Sequence, residues 1–244
     1  MFTHSMRRFF YDPVHETADC VLISGAEAHH LRAVLRMRLG ETAELFDGSG
    51  RILSGQIEQI SPDSVTFRIL ARRQEPESRS PLTLALAFLK GKKMDMVVQK
   101  ATELGVHRFL PLVTRYCEPQ GKDHQLLDRW QRIMLEACKQ CGRPVPMQLS
   151  QPLPFQEVAW PADSRKIIAW ENETTCSLAA LGLEAGNPVV LLIGPEGGFH
   201  PTEVEHAKTC GFNTISLGPR ILRAETAALT AVVLAQQAVG NLEP

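Results

Sequence analysis

The alternation of apolar and polar positions changes character near residue 80. Before that point, RILSGQIEQI (51–60) and SVTFRILA (64–71) alternate with the period of two that is typical of half-buried strands. FDGSG (46–50), directly before the first of these segments, contains an Asp-Gly pair that favours a hairpin turn. Residues 1–74 are therefore predicted to form a small, strand-rich domain.

A segment without periodicity follows this domain. QEPESRSP (74–81) contains two prolines, which is typical of a linker between domains. We assign residues 75–81 to the linker and residues 82–244 to a second domain.

The second domain contains five short apolar segments with strand character, LTLALAFL, RFLPLV, KIIAW, PVVLLI and NTISL. Around them lie segments with the apolar spacing of helices, KKMDMVVQKATELG, LLDRWQRIMLEACKQC, PTEVEHAKTCG and ETAALTAVVLAQQAVG. Strands that alternate with helices predict an α/β fold, in which helices cover both faces of a parallel sheet. The last helix is apolar on nearly every side, so we expect part of it to lie against a second copy in a homodimer.

Two of the predicted strands end in a Gly-Pro step, within LLIGPEGGFH (191–200) and ISLGP (215–219). The step keeps each exit from the sheet stiff. Ligands of parallel sheets bind at the carboxyl ends of strands, so the two loops are predicted to form one crevice at neighbouring strand ends. The glycines of these loops would let a flat ligand lie against backbone groups, or would serve only tight turns. They are Gly194, Gly197, Gly198 and Gly218.

Basic residues form two clusters near the N-terminus, first Arg7 and Arg8, then His30, Arg32, Arg36 and Arg38. Ser24 and Glu27 have the spacing of a capping box and Gly40 is a stop signal, so we predict a helix between them. Arg32 and Arg36 then share one face of that helix. Arginine suits phosphates and stacks on bases, which makes the clusters candidates for RNA contact. A solvated helix surface is the alternative.

Composition limits the compartment and the partners. The chain has 244 residues, 44% of them hydrophobic, and a formal net charge of −1 that gives no bulk attraction to nucleic acid or membranes. No apolar run approaches the roughly 20 residues that cross a bilayer. MFTHSMRRFF lacks the apolar region of a secretory signal, so we expect a cytoplasmic protein that does not contact a membrane. Its six scattered cysteines are then expected to be reduced thiols.

Familiar site motifs are missing from the sequence. It contains no dinucleotide-binding G-x-G-x-x-G, no P-loop and no nucleophile elbow. The C-x-x-C of Cys138 and Cys141 has no second pair of ligands at metal-site spacing, and its helical context favours core or helix-face positions. We therefore expect no metal site.

Four blocks carry a resemblance to a known family: QKATELGV (99–106), EACKQCGR (136–143), LLIGPEGGF (191–199) and LGPRILRAETAAL (217–229). They resemble the signature blocks of the bacterial 16S ribosomal RNA (uracil-N3)-methyltransferases of the SPOUT superfamily. The RRFF opening and HHLRAVLRMRLGE also match, so the resemblance spans nearly the whole chain. It implies a small β-rich PUA-like domain, followed by a SPOUT-type parallel sheet with a deep trefoil knot near its C-terminal end.

The resemblance also implies a cofactor and partners. The expected cofactor is S-adenosylmethionine (SAM), held by the loops after Ile168, Ile193 and Leu217, and the expected partners are 16S rRNA in the small subunit and a second copy of the chain. RNA-binding residues would be Arg7, Arg8, His30, Arg32 and Arg36. Cofactor-binding residues would be Leu192, Gly194, Glu196, Gly197, Gly198, Leu217, Gly218, Ile221, Leu222 and Thr226.

Three charged residues near the predicted crevice have open roles. Glu196 would accept a hydrogen bond from the cofactor or fix its own loop. Arg223 would stabilise charge that develops on the uracil oxygens, and Glu225 would act as a base or hold that arginine. An Arg-Glu pair that caps the last helix is the alternative for both. At the level of the whole protein, the alternatives are a catalytically silent RNA-binding protein and a SPOUT enzyme that acts on tRNA.

Overall fold

The structure, a computed structural model, describes residues 6–75, 80–117 and 123–243. It divides into two compact units, Met1–Glu77 with Cys138–Pro146, and Ser78–Ala137 with Met147–Pro244. The central part of the predicted linker, residues 76–79, lies outside the described residues.

The first unit is built on a five-stranded sheet, as its alternating pattern predicts. Its strands are β1 (Arg8–Phe10), β2 (Cys20–Ser24), β3 (Thr42–Phe46), β4 (Arg51–Ile60) and β5 (Ser64–Gln74), in the order β1-β3-β4-β5-β2. Only the β1–β3 pair is parallel among these strands. The predicted Asp-Gly turn joins β3 to β4, and Asp47 fixes it by accepting hydrogen bonds from the Ser49 backbone N–H and from Arg51. Both predicted strands and the predicted hairpin are thus confirmed.

The predicted helix after Ser24 is only partly confirmed. Helix α1 (Gly25–His29) continues into a π-helical turn, His30–Val34, and then ends. The capping box is wrong, because the Ser24 side chain makes no capping hydrogen bond and Glu27 pairs with Lys139 instead.

The predicted common face of Arg32 and Arg36 is also wrong. Leu35 is the last residue with helical angles, and Arg36 has a φ of 52°, in the left-handed region. A residue in that conformation cannot continue a right-handed helix. The two arginines therefore lie on either side of a helix end.

The second unit contains a parallel sheet, as predicted. Its strands are β6 (Leu82–Ala87), β7 (Arg108–Val113), β8 (Gln148–Leu149), β9 (Leu153–Pro154), β10 (Arg165–Ala169), β11 (Val189–Ile193) and β12 (Asn213–Ile215). The order is β12-β10-β11-β6-β7-β8, with β9 also paired to β7, and every pairing is parallel. The four longest of these strands, β6, β7, β10 and β11, together with β12, correspond to the five predicted segments.

Helices cover this sheet as the α/β pattern requires. They are α2 (Lys93–Glu103), α3 (Asp123–Cys141), α4 (Pro201–Thr209) and α5 (Ala224–Ala238). All five residues of β11 are buried, which for a strand with alternating side chains requires cover on both faces. Helix α4 packs Val204 and Ala207 onto the sheet beside Leu192, while α5 contacts β6, β11 and α2. Within the described ranges, no helix is both long and apolar enough to cross a membrane.

Candidate active site

A cleft of about 1040 Å³ lies at the carboxyl ends of β10, β11 and β12. The loops that follow these three strands line it, together with Lys93 of α2 and the first residues of α5. Strand β10 lies between β11 and β12, so the two Gly-Pro loops do not follow neighbouring strands as predicted. They do contribute to one crevice, with the loop after β10 as its third wall.

The glycines after β11 are closely packed by side chains of their own loop and of two other loops. Gly198 has a φ of +71°, and a Cβ there would collide with the carboxylate of Glu171. A Cβ on Gly194 would come within 3.1 Å of the Phe199 ring, and one on Gly197 within 3.2 Å of the Tyr116 Cβ. Contacts with other parts of the fold thus account for the lack of space at these glycines, and only Gly198 has a turn conformation that favours glycine. All three also line the cleft, so a role in ligand binding stays a prediction.

Gly218, after β12, differs from the other three. Its φ is +112°, a conformation that side chains rarely adopt, and a Cβ there would meet no atom within 4 Å. The Ser216 hydroxyl holds the turn by accepting from the Gly218 N–H at 3.3 Å and donating to its carbonyl at 3.2 Å. Gly218 thus lies in open space at the cleft, where its backbone is accessible to a ligand.

Glu173 ties the loop after β10 to β12. Its carboxylate accepts hydrogen bonds from the Thr214 hydroxyl at 2.7 Å, from the hydroxyl and N–H of Thr175, and from the Cys176 N–H. The bond from Thr214 is the first cause that lowers the pKa of Glu173 to about 2. Sequence reasoning missed this residue. The local pattern ENETT suits a turn, but the partner on β12 is 41 residues away.

We expect the contribution of Glu173 to stability to depend on pH. Because its folded pKa lies below the ordinary value of 4.5, the contribution is complete above about pH 4.5 and is lost as the pH falls towards 2. Glu173→Gln should lower the thermal midpoint at neutral pH, and the gap to the wild type should narrow through that window. The exposed Glu184→Gln serves as control; a gap that stays constant through the acid window would contradict the assignment.

Lys93 lines the cleft and contacts two carboxylates, of which only Glu196 also lines it. Its Nζ lies 2.7 Å from Glu196 Oε1 and 3.5 Å from Glu225 Oε2. Glu196 Oε1 also accepts a hydrogen bond from the Lys90 N–H at 3.1 Å. Burial opposes ionisation of Glu196, but the bonds from Lys93 and from backbone N–H groups outweigh it and lower its pKa. Glu196 therefore fixes its loop to the start of α2. The predicted alternative is that Glu196 fixes only its own loop, and the structure adds this second element.

Arg223 and Glu225 lie where the chain enters α5. Arg223 is the residue before the helix; its carbonyl accepts from the Ala227 N–H at 2.8 Å, and its exposed side chain lines the cleft. Glu225, in the first turn, faces Lys93 and does not line the cleft. One predicted alternative is that Glu225 holds Arg223. In the structure Glu225 pairs with Lys93 instead.

Most of the predicted cofactor-binding residues line the cleft, and two do not. Leu217, Ile221 and Leu222 form an apolar wall, in which Ile221 is 89% exposed. Leu192 is a wrong prediction, because its side chain is fully buried in the core under α4. Thr226 is also wrong, because it is exposed on α5 while its helix neighbours Ala224 and Ala227 line the cleft.

The predicted RNA-binding residues divide into one structural arginine and four accessible residues. Arg8 Nε lies 2.6 Å from Glu44, and its guanidinium also donates to the Gly142 carbonyl. Arg8 therefore has a structural role in the first unit, where it shares Glu44 with Arg73, and its role as a phosphate contact stays a prediction. The accessible residues are Arg7, His30 and Arg36, which are exposed, and Arg32, which is half-exposed.

The C-x-x-C pair shows no sign of a metal centre. Cys138 is buried, and burial raises the pKa of its thiol to about 12, whereas Cys141 is exposed. Over the described parts of the chain, no three His, Cys, Asp or Glu side chains are grouped so as to hold a metal ion.

Comparisons with known proteins identify the family. Residues 76–236 match the model of the RNA methyltransferase domain, and residues 23–70 match that of the RNA methyltransferase PUA domain. The chain is 30% identical to ribosomal RNA small subunit methyltransferase E of Rickettsia conorii, over 89% of each chain. The chain belongs to the ribosomal RNA small subunit methyltransferase E family. This confirms the resemblance drawn from the four sequence blocks.

Solved members of the methyltransferase E family share the fold. A ribosomal RNA small subunit methyltransferase E from Neisseria gonorrhoeae, solved with bound S-adenosylmethionine, aligns with a TM-score of 0.86 and 31% identity over 95% of this chain and 97% of that one. A putative methyltransferase from Legionella pneumophila, also solved with SAM, aligns with a TM-score of 0.88 and 33% identity over 96% and 98%. The predicted α/β fold with an N-terminal PUA-like domain is thereby confirmed.

Proposed function

We propose that this protein transfers the methyl group of SAM to N3 of a uridine in the 16S rRNA of the small ribosomal subunit. The observation that carries the proposal is the cleft at the ends of β10, β11 and β12, with Arg223 on its wall, in a chain whose relatives bind SAM. The reaction belongs to the cytoplasm, where small subunits are assembled.

The residues of the cleft fit SAM. A cleft of about 1040 Å³ is large enough for a nucleoside joined to an amino acid. Leu217 and Leu222 offer an apolar wall to the adenine, and the lack of a side chain at Gly218 leaves open space beside that wall. The loop after β10 places the carboxylates of Glu171 and Glu173 on the wall of the cleft, where they suit the sulfonium and ammonium groups of the ligand. The cleft as a whole is not negative, because it is also lined by three cationic side chains, those of Lys93, Arg220 and Arg223.

The bound cofactor supplies an electrophilic methyl group, and the chain positions the acceptor. At neutral pH the uracil imide nitrogen carries a proton, whose loss to water would place negative charge on N3 and on the neighbouring carbonyl oxygens. N3 would then accept the methyl group, and the electrons of the broken S–CH₃ bond would stay on sulfur as a neutral thioether. Arg223 is proposed to stabilise that charge through its guanidinium. Glu225, which contacts Lys93, is proposed to fix the start of α5 and not to act as the base.

We also propose that the C-terminal part of the second unit forms a deep trefoil knot. Support comes from the path of the chain: it runs through β10 and β11, returns to the outer side of β10 as β12, and then packs α5 against β11 and β6. The three loops of the cleft would be the loops of the knot, so the knot would hold the cofactor site rigid.

The homodimer is proposed from the outer face of α5. Ala231 and Val232 of this helix are buried, whereas Val233 and Leu234 are 39% and 43% exposed. Leu234→Glu would place a charge in a dimer interface on this face, so we expect a monomer at micromolar concentration by light scattering, against a dimer for the wild type. Gln156→Glu, which adds a charge at an exposed polar residue outside α5, should stay dimeric. A monomeric wild type would contradict the proposal.

Arg32 and Arg36 should contribute to the salt dependence of RNA binding. If each contacts a phosphate, Arg32→Gln and Arg36→Gln should each make the slope of log K against log salt concentration shallower by about 0.7 for single-stranded RNA, because fewer counterions are released. Arg165→Gln, an exposed arginine of the second unit, is the control. Slopes equal to that of the wild type would favour the solvated surface.

Methylation of purified small subunits that lack their own N3-methyluridine mark tests the proposed function directly. We expect SAM-dependent formation of N3-methyluridine in 16S rRNA, detected by mass spectrometry of the digested RNA. Methylation of tRNA and not of subunits would favour the tRNA alternative. Absence of SAM binding in calorimetry would favour a silent RNA-binding protein.

A further inference from the structure

Lys93 occupies a position that the proposed chemistry does not explain. It is the first residue of α2, yet its side chain reaches the cleft and contacts two carboxylates from distant parts of the chain. Glu196 belongs to the loop after β11, on the cofactor side of the cleft. Glu225 belongs to the first turn of α5, two residues after Arg223. One ammonium group therefore joins the loop that would hold SAM to the helix start that carries Arg223.

The positive charge of Lys93 is needed to keep the Glu196 and Glu225 carboxylates close to one another. Both carboxylate oxygens lie within 3.5 Å of the same nitrogen, so without the ammonium two negative groups would face each other across a small space. The hydrogen bond to Glu196 is the first cause that raises the pKa of Lys93, which keeps the lysine charged. Lys93 is about one third exposed, so water screens the pair only in part.

The two contacts have different consequences. The Glu196 contact, reinforced by the Lys90 N–H, fixes the loop after β11 and hence the wall of the cofactor cleft. The longer contact to Glu225 fixes the first turn of α5 and hence the direction in which Arg223 leaves the backbone. A displacement of that turn would leave the fold intact and move the guanidinium away from the reacting base.

We propose that Lys93 is a positioning residue, which acts through Glu225 to place Arg223 and through Glu196 to shape the cofactor loop. The inference rests on the proposed function, since it assigns to Lys93 a part in the same site. A positioning role differs from a general stabilising role in one respect: loss of Lys93 should lower the single-turnover rate at saturating SAM only when Arg223 is present.

The test measures SAM affinity by calorimetry and the single-turnover rate at saturating SAM. Lys93→Met should weaken SAM binding and also lower the saturated rate, each by about tenfold, because a small misplacement of the catalytic group is costly. Lys93→Arg should recover most of both, because its fork can contact two carboxylates. Lys92→Met, the exposed neighbour, is the matched control.

A double-mutant cycle separates positioning from simple destabilisation. If Lys93 acts through Arg223, Lys93→Met combined with Arg223→Ala should react no slower than Arg223→Ala alone. A further tenfold loss in the double variant, with a melting temperature like that of Arg223→Ala, would overturn the inference. Glu225→Gln removes the other partner of the contact between Lys93 and α5. It should lower the single-turnover rate at saturating SAM and leave SAM affinity within about twofold, since the contact between Lys93 and Glu196 remains.

The outcomes distinguish this inference from the function beneath it. A wild type that neither binds SAM nor methylates small subunits would remove the proposed function. A wild type that does both, with Lys93→Met equal to Lys92→Met in affinity and saturated rate, would leave the function in place and overturn the role of Lys93.

Discussion

Gly218→Val should reduce SAM affinity by about 100-fold while leaving the sheet folded. Gly218 has a φ of +112°, in a region that β-branched residues avoid, and strain of this kind costs about 1–3 kcal/mol for each residue. The valine would also project a side chain where no protein atom now lies within 4 Å, at a residue that lines the cleft. The strain acts on the folded loop with or without ligand, whereas the new side chain occupies space that the cofactor would need, so calorimetry with SAM is the direct measurement.

Gly186→Val is the matched control for Gly218→Val. Gly186 also has a positive φ, of +94°, and open space around its Cβ position, but it lies outside the cleft. Valine should therefore strain the backbone at both sites and weaken SAM binding only at Gly218. Equal affinities in the two folded variants would show that the loop after β12 does not contact the cofactor. Gly197→Val is a poorer probe, because its Cβ would first meet Tyr116.

Local patterns were sufficient for most of the fold. The run of apolar residues in β11 predicts a strand buried on both faces, and all five of its positions are buried. Alternation predicts β4 and β5, and the Asp-Gly pair predicts the turn before β4. In each case the signal and the structure involve neighbours in sequence. The proposed knot is different: it would depend on how distant segments pass one another, and in the sequence only the resemblance suggests it.

Local signals failed where a distant residue competes for the same group. Glu27 has the spacing to cap α1, but it pairs with Lys139, 112 residues away. The same distance problem concealed the partners within the cleft: Lys93 and Glu196 are 103 residues apart. The sequence indicates that the glycines after β11 matter, but for a reason that is only partly right. The side chains that leave little room for a Cβ there, such as those of Phe199 and Glu171, reach these glycines only in the folded chain.

Arg223→Ala should lower the single-turnover methylation rate at saturating SAM by about 100-fold or more, the loss expected for removing one oxyanion donor. The sulfonium of SAM is a cation, so a nearby guanidinium gains nothing from it in the ground state. Negative charge appears on the uracil oxygens only as the N3 proton is lost on the way to the transition state, so Arg223 gains an interaction there that the neutral ground state lacks. SAM affinity should accordingly stay within a few-fold of the wild type, by calorimetry.

Two variants make the role of Arg223 decidable. Arg223→Lys keeps the charge and loses the planar fork, so it should recover only part of the rate. Arg165→Ala removes an exposed arginine from the start of β10, at the opposite edge of the sheet from the cleft, and should react like the wild type. Because Arg223 precedes α5 and its carbonyl, not its side chain, caps the helix through Ala227, alanine should preserve the helix start. A normal rate for a folded Arg223→Ala would therefore assign the stabilisation of the uracil oxygens to another group of the cleft.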